Sequence, residues 1–284
     1  MYLFKQKDTL DRHLSTARNN DKRIGFVPTM GALHHGHLSL IAKAKETCDL
    51  VVCSIFVNPT QFNDPSDFEK YPVTIDNDIL QLTDAGTDVL FLPSVQEMYP
   101  EGLDVKTHYD FGSLETILEG AHRPGHFQGV GQVVHKLLNL VKPDQLFMGQ
   151  KDFQQCLIVN RLLKLIDSKA QLVVCPTLRE PDGLAMSSRN MRLNATERQN
   201  ALHIYKALIY VKGNIHKASF SEILNNASNQ LKMNGFDVDY IELVSMEEDG
   251  SVTFPKATGN RPVYAVIAAR EISSDVRLID NMLM

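Results

Sequence analysis

The sequence contains no tryptophan, and its four cysteines, Cys48, Cys53, Cys156 and Cys175, include no pair at Cys-x-x-Cys spacing. That spacing is typical of zinc knuckles and dithiol redox sites, so neither kind of site is indicated. Three of the four cysteines lie among apolar residues. Buried reduced thiols are common in cytoplasmic proteins, whereas disulfides belong to oxidising compartments. The cysteines therefore favour a cytoplasmic protein.

The sequence also lacks a long apolar run and an excess of positive charge. The longest apolar run, residues 50–57, is interrupted by Ser54 and is far shorter than the ~20 residues that span a bilayer. Residues 1–13 mix charged and apolar side chains, unlike a signal peptide. The net charge is -5, whereas nucleic acids and anionic membranes attract basic surfaces. We therefore expect small-molecule ligands, and neither nucleic acid nor membrane as a partner.

Strand and helix patterns alternate through the first part of the chain. A buried strand at 23–28, an amphipathic helix at 36–48 and a second strand at 50–57 form a βαβ unit, which implies parallel strands. The alternation continues with a helix at 76–85, a strand at 88–93, a helix at 130–141, a strand at 145–148, a helix at 152–166 and a strand at 171–175. Residues 1–176 therefore predict a Rossmann-like, doubly wound α/β domain.

Two stretches depart from this alternation. Residues 93–129 are irregular and rich in glycine, proline and histidine, which is typical of a functional loop. After a polar stretch at 177–192, helical patterns at 195–212 and 219–234 precede strand-like runs at 238–244 and 262–269. Residues 177–284 therefore predict a smaller α+β C-terminal domain.

The segment after the first strand is the most informative part of the chain. His34, Gly36 and His37 form an HxGH motif where the first helix begins. In a parallel sheet this junction lies at the carboxyl ends of the strands, where ligands bind. Gly36 allows close approach to the backbone, and the helix N-terminus attracts phosphate. The two imidazoles predict phosphate contacts, while ordinary surface histidines and a metal pair without a third ligand remain alternatives.

Two further segments have similar chemistry. Lys151 and Asp152 follow Gly149 at another strand-to-helix junction, where the lysine suits a phosphate and the aspartate either a helix cap or ribose hydroxyls. The sequence Met186-Ser-Ser-Arg-Asn190 offers two hydroxyls and a guanidinium for a flexible anion clamp. The alternatives are a capped helix with a solvated lysine and an ordinary polar loop. Proline and glycine between His122 and His126 argue against a helical zinc pair there.

Together these segments resemble the nucleotidylyltransferase-like superfamily, which includes the class I aminoacyl-tRNA synthetases with their HIGH and KMSKS motifs. Within it, five segments in order resemble the pantoate–β-alanine ligase family. They are Pro28-Thr-Met-Gly-Ala-Leu-His-His-Gly-His-Leu38, Phe56-Val-Asn-Pro-Thr-Gln-Phe62, Arg123-Pro-Gly-His-Phe-Gln-Gly-Val130, Gly149-Gln-Lys-Asp-Phe-Gln-Gln155 and Met186-Ser-Ser-Arg-Asn190. His35 and Gln150 depart from the acidic residues common in this family, both at spacer positions.

The resemblance implies an ATP-dependent ligase that joins (R)-pantoate to β-alanine through pantoyl-adenylate, in pantothenate and coenzyme A biosynthesis. It also implies Mg2+ with the ATP, and a homodimer. Catalysis would fall to His37, His34, Lys151, Ser187, Ser188 and Arg189. The implied ATP-binding positions are Met30, Gly31, Ala32, Leu33, His34, His35, Gly36, His37, Gly149, Gln150, Lys151, Asp152, Leu178, Met186, Ser187, Ser188 and Arg189. Pantoate and β-alanine would be held by Gln61, Gln155, Asn58 and Phe62.

Two rival functions remain open from the residues alone. A nucleotidylyltransferase with a phosphate acceptor would want Arg or Lys where this chain has Gln61 and Gln155. A nucleotide sensor or RNA-binding module of the same fold is disfavoured by the acidic balance and the full set of candidate catalytic residues.

Overall fold

Six strands from the first 175 residues form one parallel sheet. The computed structural model describes residues 1–104, 107–247, 250–257 and 259–284; residues 105 and 106, in the stretch predicted to be irregular, lie outside that description. The strands are β1 (Tyr2–Phe4), β2 (Ile24–Thr29), β3 (Leu50–Ile55), β4 (Val89–Phe91), β5 (Gln145–Gly149) and β6 (Gln171–Cys175). Their order is β1-β4-β3-β2-β5-β6. The order reverses between β2 and β5, which makes that crevice the expected ligand site.

Helices cover both faces of this sheet. They are α1 (Lys7–Asn19), α2 (His35–Thr47), α3 (Pro65–Glu69), α4 (Ile75–Asp84), α5 (Val95–Met98), α6 (Glu119–His122), α7 (His126–Val141) and α8 (Phe153–Leu165). Phe26 on β2 packs in one apolar cluster with α1 and α7, and its neighbour Val27 packs in another with α2 and α4. Adjacent strand residues point to opposite faces, so this division confirms the predicted doubly wound arrangement.

The rest of the chain forms a smaller domain around an antiparallel sheet. Its elements are α9 (Ala195–Asn214), α10 (Phe220–Met233), β7 (Phe236–Met246), β8 (Val252–Thr253), β9 (Val263–Glu271) and β10 (Val276–Leu283). The strand order is β10-β9-β7-β8. One face of the sheet packs against α9 and α10, and Val244 and Val266 on the other face join the core of the parallel-sheet domain. The predicted domain boundary at residues 176 and 177 stays a prediction.

Sequence patterns missed several elements and misplaced one helix start. α7 begins at His126, four residues before the predicted start at 130, because Gly125 adopts a φ of 80° and starts the helix. The stretch predicted to be irregular contains α5 and α6. The strands β1, β8 and β10 and the helices α1 and α3 were not predicted. In β10 the polar residues Arg277, Asp280 and Asn281 interrupt the apolar pattern, and all three have hydrogen-bond partners.

A buried carboxylate joins the two domains. Glu119 on α6 accepts hydrogen bonds from Arg277 Nη1 at 2.8 Å and Nη2 at 2.7 Å, and from Tyr240 Oη at 2.8 Å. Arg277 Nε also donates to Asp239 Oδ2 at 2.6 Å. Burial alone raises the pKa of Glu119, but Arg277, Arg123 and Tyr240 outweigh it and lower the pKa to about 2. Glu119 therefore stays ionised and holds the second sheet against α6.

Replacing Arg277 with methionine should destabilise the protein by about 3–5 kcal/mol, because the buried Glu119 carboxylate loses its two-pronged ion pair and keeps only Tyr240 and the more distant Arg123. Urea unfolding followed by circular dichroism measures this loss. The depressed pKa of Glu119 stabilises the fold above pH 4.5 and loses that effect as the pH falls towards 2. Arg277→Met should lose this pH dependence.

The matched control is Arg270→Met, which removes an exposed arginine paired with Asp275. Exposed pairs contribute about 0–1 kcal/mol. Equal destabilisation by the two substitutions would contradict the special role of the Glu119 pair.

Candidate active site

The loop after β2 is held by a buried carboxylate from α4. Asp78 Oδ2 accepts the backbone N–H of Ala32 at 2.9 Å, and Oδ1 accepts that of Leu33 at 2.8 Å. Gly31 and Ala32 have φ angles of 82° and 48°, so the turn uses two successive left-handed residues. Such a conformation costs a non-glycine residue about 1 kcal/mol or more. The two hydrogen bonds to Asp78 offset that cost and fix the start of α2.

His34 and His37 lie together at the N-terminus of α2. Their rings are 4.0 Å apart between centroids. The N–H of Gly36 donates to His34 Nδ1 at 3.1 Å, and the N–H of His34 donates to His37 Nδ1 at 3.3 Å. Because both Nδ1 atoms accept, the ring proton of each histidine is on Nε2. A Cβ on Gly36 would lie 2.8 Å from the His34 ring, so glycine is required here.

Both histidines are neutral at physiological pH. Burial and the charge of Lys151 lower the pKa of His34 to about 4. Burial, followed by His34 and Lys151, lowers the pKa of His37 well below its usual value. A neutral imidazole with its proton on Nε2 still donates a hydrogen bond. The pair therefore offers two neutral donors beside one permanent cation, which suits phosphate oxygens.

The segment after β5 lies across the crevice from β2. Lys151 Nζ is 3.2 Å from Asp152 Oδ1, and the side chain of Asp152 makes no capping hydrogen bond to α8. The helix-cap alternative for Asp152 is therefore wrong. Asn281 on β10 donates to the carbonyl oxygens of Gln150 and Lys151 at 2.8 and 3.0 Å. The second domain thus positions this loop through its last strand.

The loop containing Met186 to Asn190 contacts both neighbouring segments. Ser188 Oγ donates to the carbonyl of Ala32 at 3.0 Å. Arg189 pairs with Asp67 on α3 at 2.7 Å. The N–H of Met186 donates to the carbonyl of Leu178 at 3.1 Å, which brings these two side chains to the same part of the cavity. The clamp hydroxyls and guanidinium therefore lie next to the HxGH turn.

Gln61 is oriented by a network of buried polar groups. Asn58 Nδ2 donates to Gln61 Oε1 at 3.1 Å, and His126 Nδ1 lies 2.6 Å from the Gln61 carbonyl oxygen. A Cβ at Gly129 would lie 2.2 Å from the Thr60 carbonyl oxygen, so only glycine lets α7 approach this turn. His122 instead lies 3.9 Å from Asp239. His122 is the last residue of α6 and His126 the first of α7, so the prediction that both belong to a loop is wrong. Only residues 123–125 between them are non-helical, and the two histidines have different partners, so they form no pair.

One cavity at the switch between β2 and β5 brings most of the predicted residues together. Those that line it are Met30, His34, Gly36, His37, Asn58, Gln61, Phe62, Gly149, Lys151, Asp152, Gln155, Leu178, Met186, Ser187, Ser188 and Arg189. Gly31, Ala32 and Leu33 do not line it; they form the turn held by Asp78. His35 is exposed, and Gln150 Nε2 donates to Asn281 Oδ1 at 3.0 Å. The binding roles of all these residues stay predictions.

Several residues of the site were missed by sequence reasoning. Asp78, Asp67 and Tyr71 support the loops, while Arg123 and Asn281 line the cavity. Asp78 lies in the first turn of a predicted helix, where a carboxylate already has an ordinary explanation in the helix dipole. Arg123 lies in a motif that the sequence did mark. For Asn281 no sequence signal was available, because its strand was not predicted.

Comparisons with known proteins identify the family of the chain. A family model described as pantoate-beta-alanine ligase matches residues 2–283. A pantothenate synthetase of Cytophaga hutchinsonii is 42% identical over 275 residues, which cover 96% of this chain and 95% of that protein. The crystal structure of pantothenate synthetase from Thermus thermophilus is similar with a TM-score of 0.90 at 37% identity, and the match covers 99% of both chains.

A second solved structure is that of pantoate-beta-alanine ligase from Francisella tularensis, complexed with beta-gamma ATP and beta-alanine. It has a TM-score of 0.80 at 37% identity, and the match covers 100% of this chain and 97% of that one. The family model spans nearly the whole chain, and the relatives exceed 35% identity over nearly their full length. The chain therefore belongs to the pantoate–β-alanine ligase family.

Proposed function

We propose that this chain joins (R)-pantoate to β-alanine at the expense of ATP, releasing pantothenate, AMP and pyrophosphate. The observation that carries the proposal is a single cavity that combines a phosphate-binding set with a pair of glutamines. His34, His37, Lys151 and Arg189 belong to the first set, and Gln61 lines the same cavity with Gln155. This combination suits an enzyme that activates a small acid with ATP.

The first half-reaction forms pantoyl-adenylate. The pantoate carboxylate attacks the α-phosphorus of ATP, and the bond to pyrophosphate breaks. Negative charge then increases on the leaving oxygen. The Nε2 protons of His34 and His37 and the ammonium of Lys151 are donors already oriented for such charge, and preorganised donors stabilise a transition state most effectively. No protein nucleophile is needed, so positioning contributes most of the remaining acceleration.

The glutamines suit the acid better than a phosphate acceptor. Asn58 Nδ2 donates to Gln61 Oε1, and this hydrogen bond fixes the orientation of the Gln61 side-chain amide. Gln155 forms no side-chain hydrogen bond with any residue that the structure describes, and its amide is available to a ligand. Pantoate carries two hydroxyls and a carboxylate, which amides bind without adding charge. In the second half-reaction the neutral amine of β-alanine attacks the acyl carbon and AMP leaves.

Mg2+ is the expected companion of ATP. Within the described ranges no group of three or more His, Cys, Asp or Glu side chains is arranged to hold a metal. Asp152 lies beside Lys151 in the cavity, so the residues fit an ion held mainly by phosphate oxygens and water. When bound, Mg2+ offsets part of the triphosphate charge.

The proposal includes a cytoplasmic homodimer. No helix in the part of the chain that the structure describes is long and apolar enough to cross a membrane. Val174 on the edge strand β6 is 45% exposed, and Tyr2 on the opposite edge strand β1 is 65% exposed. Apolar side chains on unpaired strand edges offer contact area to a second copy.

Mass spectrometry of the products formed from ATP, pantoate, β-alanine and Mg2+ tests the reaction. Pantothenate and AMP should appear in equal amounts, and neither should form when pantoate is omitted. ADP in place of AMP would rule out adenylate formation.

His37→Ala should lower kcat by roughly 10²-fold or more, because a donor to the transition state is lost. Steady-state kinetics measures kcat, and circular dichroism checks the fold. His35→Ala is the matched control, because His35 is an exposed histidine of the same turn. A near-normal kcat for His37→Ala would remove His37 from catalysis.

Labelled pyrophosphate should exchange into ATP when ATP, Mg2+ and pantoate are present without β-alanine. Bound pantoyl-adenylate makes the first step reversible, provided that the loop of Met186 to Asn190 excludes water. Gln155→Ala should weaken pantoate binding by about 1–3 kcal/mol, because polar groups of the acid lose a partner. Exchange that required β-alanine, or that ran without pantoate, would contradict the two-step route.

A further inference from the structure

Three side chains form an ion-pair cluster beside the cavity, which we call the arginine clasp: Asp67, Arg189 and Arg192. Asp67 belongs to α3, and both arginines belong to the 3-10 helix Ser188–Arg192. Arg189 Nη2 lies 2.7 Å from Asp67 Oδ2, and its Nε lies 3.3 Å from Oδ1. Arg192 Nη1 lies 2.9 Å from Oδ1. One carboxylate therefore binds two guanidinium groups of a single turn.

Aromatic side chains connect the clasp to the proposed acid pocket. The Arg189 guanidinium lies over the Tyr71 ring, 5.7 Å from its centroid. Phe62 contacts Tyr71 edge-on at 5.8 Å and Phe68 at 5.2 Å between ring centroids. Phe62 lines the cavity next to Gln61. The segment from residue 62 to 71 thus runs from the acid pocket to Arg189.

The charges of the clasp are not balanced. Two guanidinium groups face one carboxylate, and the side chains of Asp67, Arg189 and Arg192 are only 24%, 23% and 17% exposed. Partly buried charges are screened weakly by salt. Arg189 is the member of the clasp that lines the cavity. A polyphosphate that binds there meets an arginine whose Nε and Nη2 already donate to Asp67.

We propose that Asp67 is a positioning residue that limits the affinity of Arg189 for pyrophosphate. The inference rests on the proposed function, in which pyrophosphate is the first product. The Arg189 guanidinium exchanges the carboxylate for phosphate oxygens, while Arg192 retains Asp67 and keeps α3 in place. The competing carboxylate weakens binding of pyrophosphate more than binding of AMP, because pyrophosphate carries two phosphate groups and AMP only one. Asp67 thereby favours release of pyrophosphate.

Asp67→Asn should bind pyrophosphate about tenfold more tightly, because charge-assisted hydrogen bonds are roughly twice as strong as neutral ones and the competitor is now neutral. Its affinity for AMP should stay within about twofold of the wild type. Isothermal titration calorimetry of each ligand with Mg2+ measures both affinities. If Asp67 only held the structure together, the substitution would change the affinities for pyrophosphate and for AMP by the same factor. The ratio of the pyrophosphate affinity to the AMP affinity therefore distinguishes the two roles.

Asp64→Asn is the matched control. It removes the same charge three residues away, and Asp64 only caps α3 by accepting the N–H of Ser66 at 2.8 Å. Asparagine is an equally good cap, so neither affinity should change by more than about twofold. Arg192→Gln removes one of the two arginines that pair with Asp67, so Asp67 then pairs with Arg189 alone. This variant should bind pyrophosphate more weakly than the wild type does.

Unchanged or weaker pyrophosphate binding by Asp67→Asn would overturn the proposal, and so would a parallel loss of both ligands. A tenfold gain for Asp64→Asn as well would also overturn it, since general electrostatics would then explain the effect. Failure of the proposed function looks different. The wild type would make no pantothenate in the product assay, while the pyrophosphate shift of Asp67→Asn would still appear.

Discussion

The hydrogen bonds that the backbone N–H groups of Ala32 and Leu33 donate to the buried Asp78 carboxylate fix the turn on which the rest of the histidine site depends. They hold a turn with two successive left-handed residues, and that turn sets where α2 begins. The start of α2 in turn sets the orientation of His34 and His37, because each ring accepts a hydrogen bond from a backbone N–H at the beginning of the helix. The carbonyl oxygen of Ala32 also accepts a hydrogen bond from Ser188 Oγ, which belongs to the loop of Met186 to Asn190. A single buried carboxylate thereby orders the turn before α2 and the contact of that turn with the loop of Ser188.

The second domain contributes to the site by supporting it as well as by lining it. Two residues of β10 make these contacts. Arg277 donates to the Glu119 carboxylate, and Asn281 donates to the carbonyl oxygens of Gln150 and Lys151. The loop with Lys151 is therefore shaped by a strand 130 positions later in the chain. Any movement between the domains would change the position of Lys151 relative to the histidines. The position of Lys151 therefore depends on the hydrogen bonds that Asn281 donates, and no side chain caps the start of α8.

Sequence reasoning identified five of the six strands of the parallel sheet, β2 to β6, and most of the residues that line the cavity. These were accessible because strand and helix periods and the HxGH spacing are local features. The supporting carboxylates were not accessible. Asp67 and Asp78 act on residues 122 and about 46 positions away, and an aspartate near a helix start gives no hint in the sequence of such a distant partner. The strand β10 was missed for a related reason. Its residues Arg277, Asp280 and Asn281 are polar because they bind distant groups of the chain, and they interrupt the apolar pattern that would indicate a strand.

The ring geometry of the histidine pair has a consequence for the heat of nucleotide binding. Each Nδ1 lone pair is occupied by a backbone N–H, so a second ring proton would break a hydrogen bond that caps α2. Neither ring has reason to take up a proton when an anion arrives at Nε2. Binding through these rings then exchanges no protons with the solvent. The two rings should therefore add no buffer-ionisation contribution of their own to the binding enthalpy.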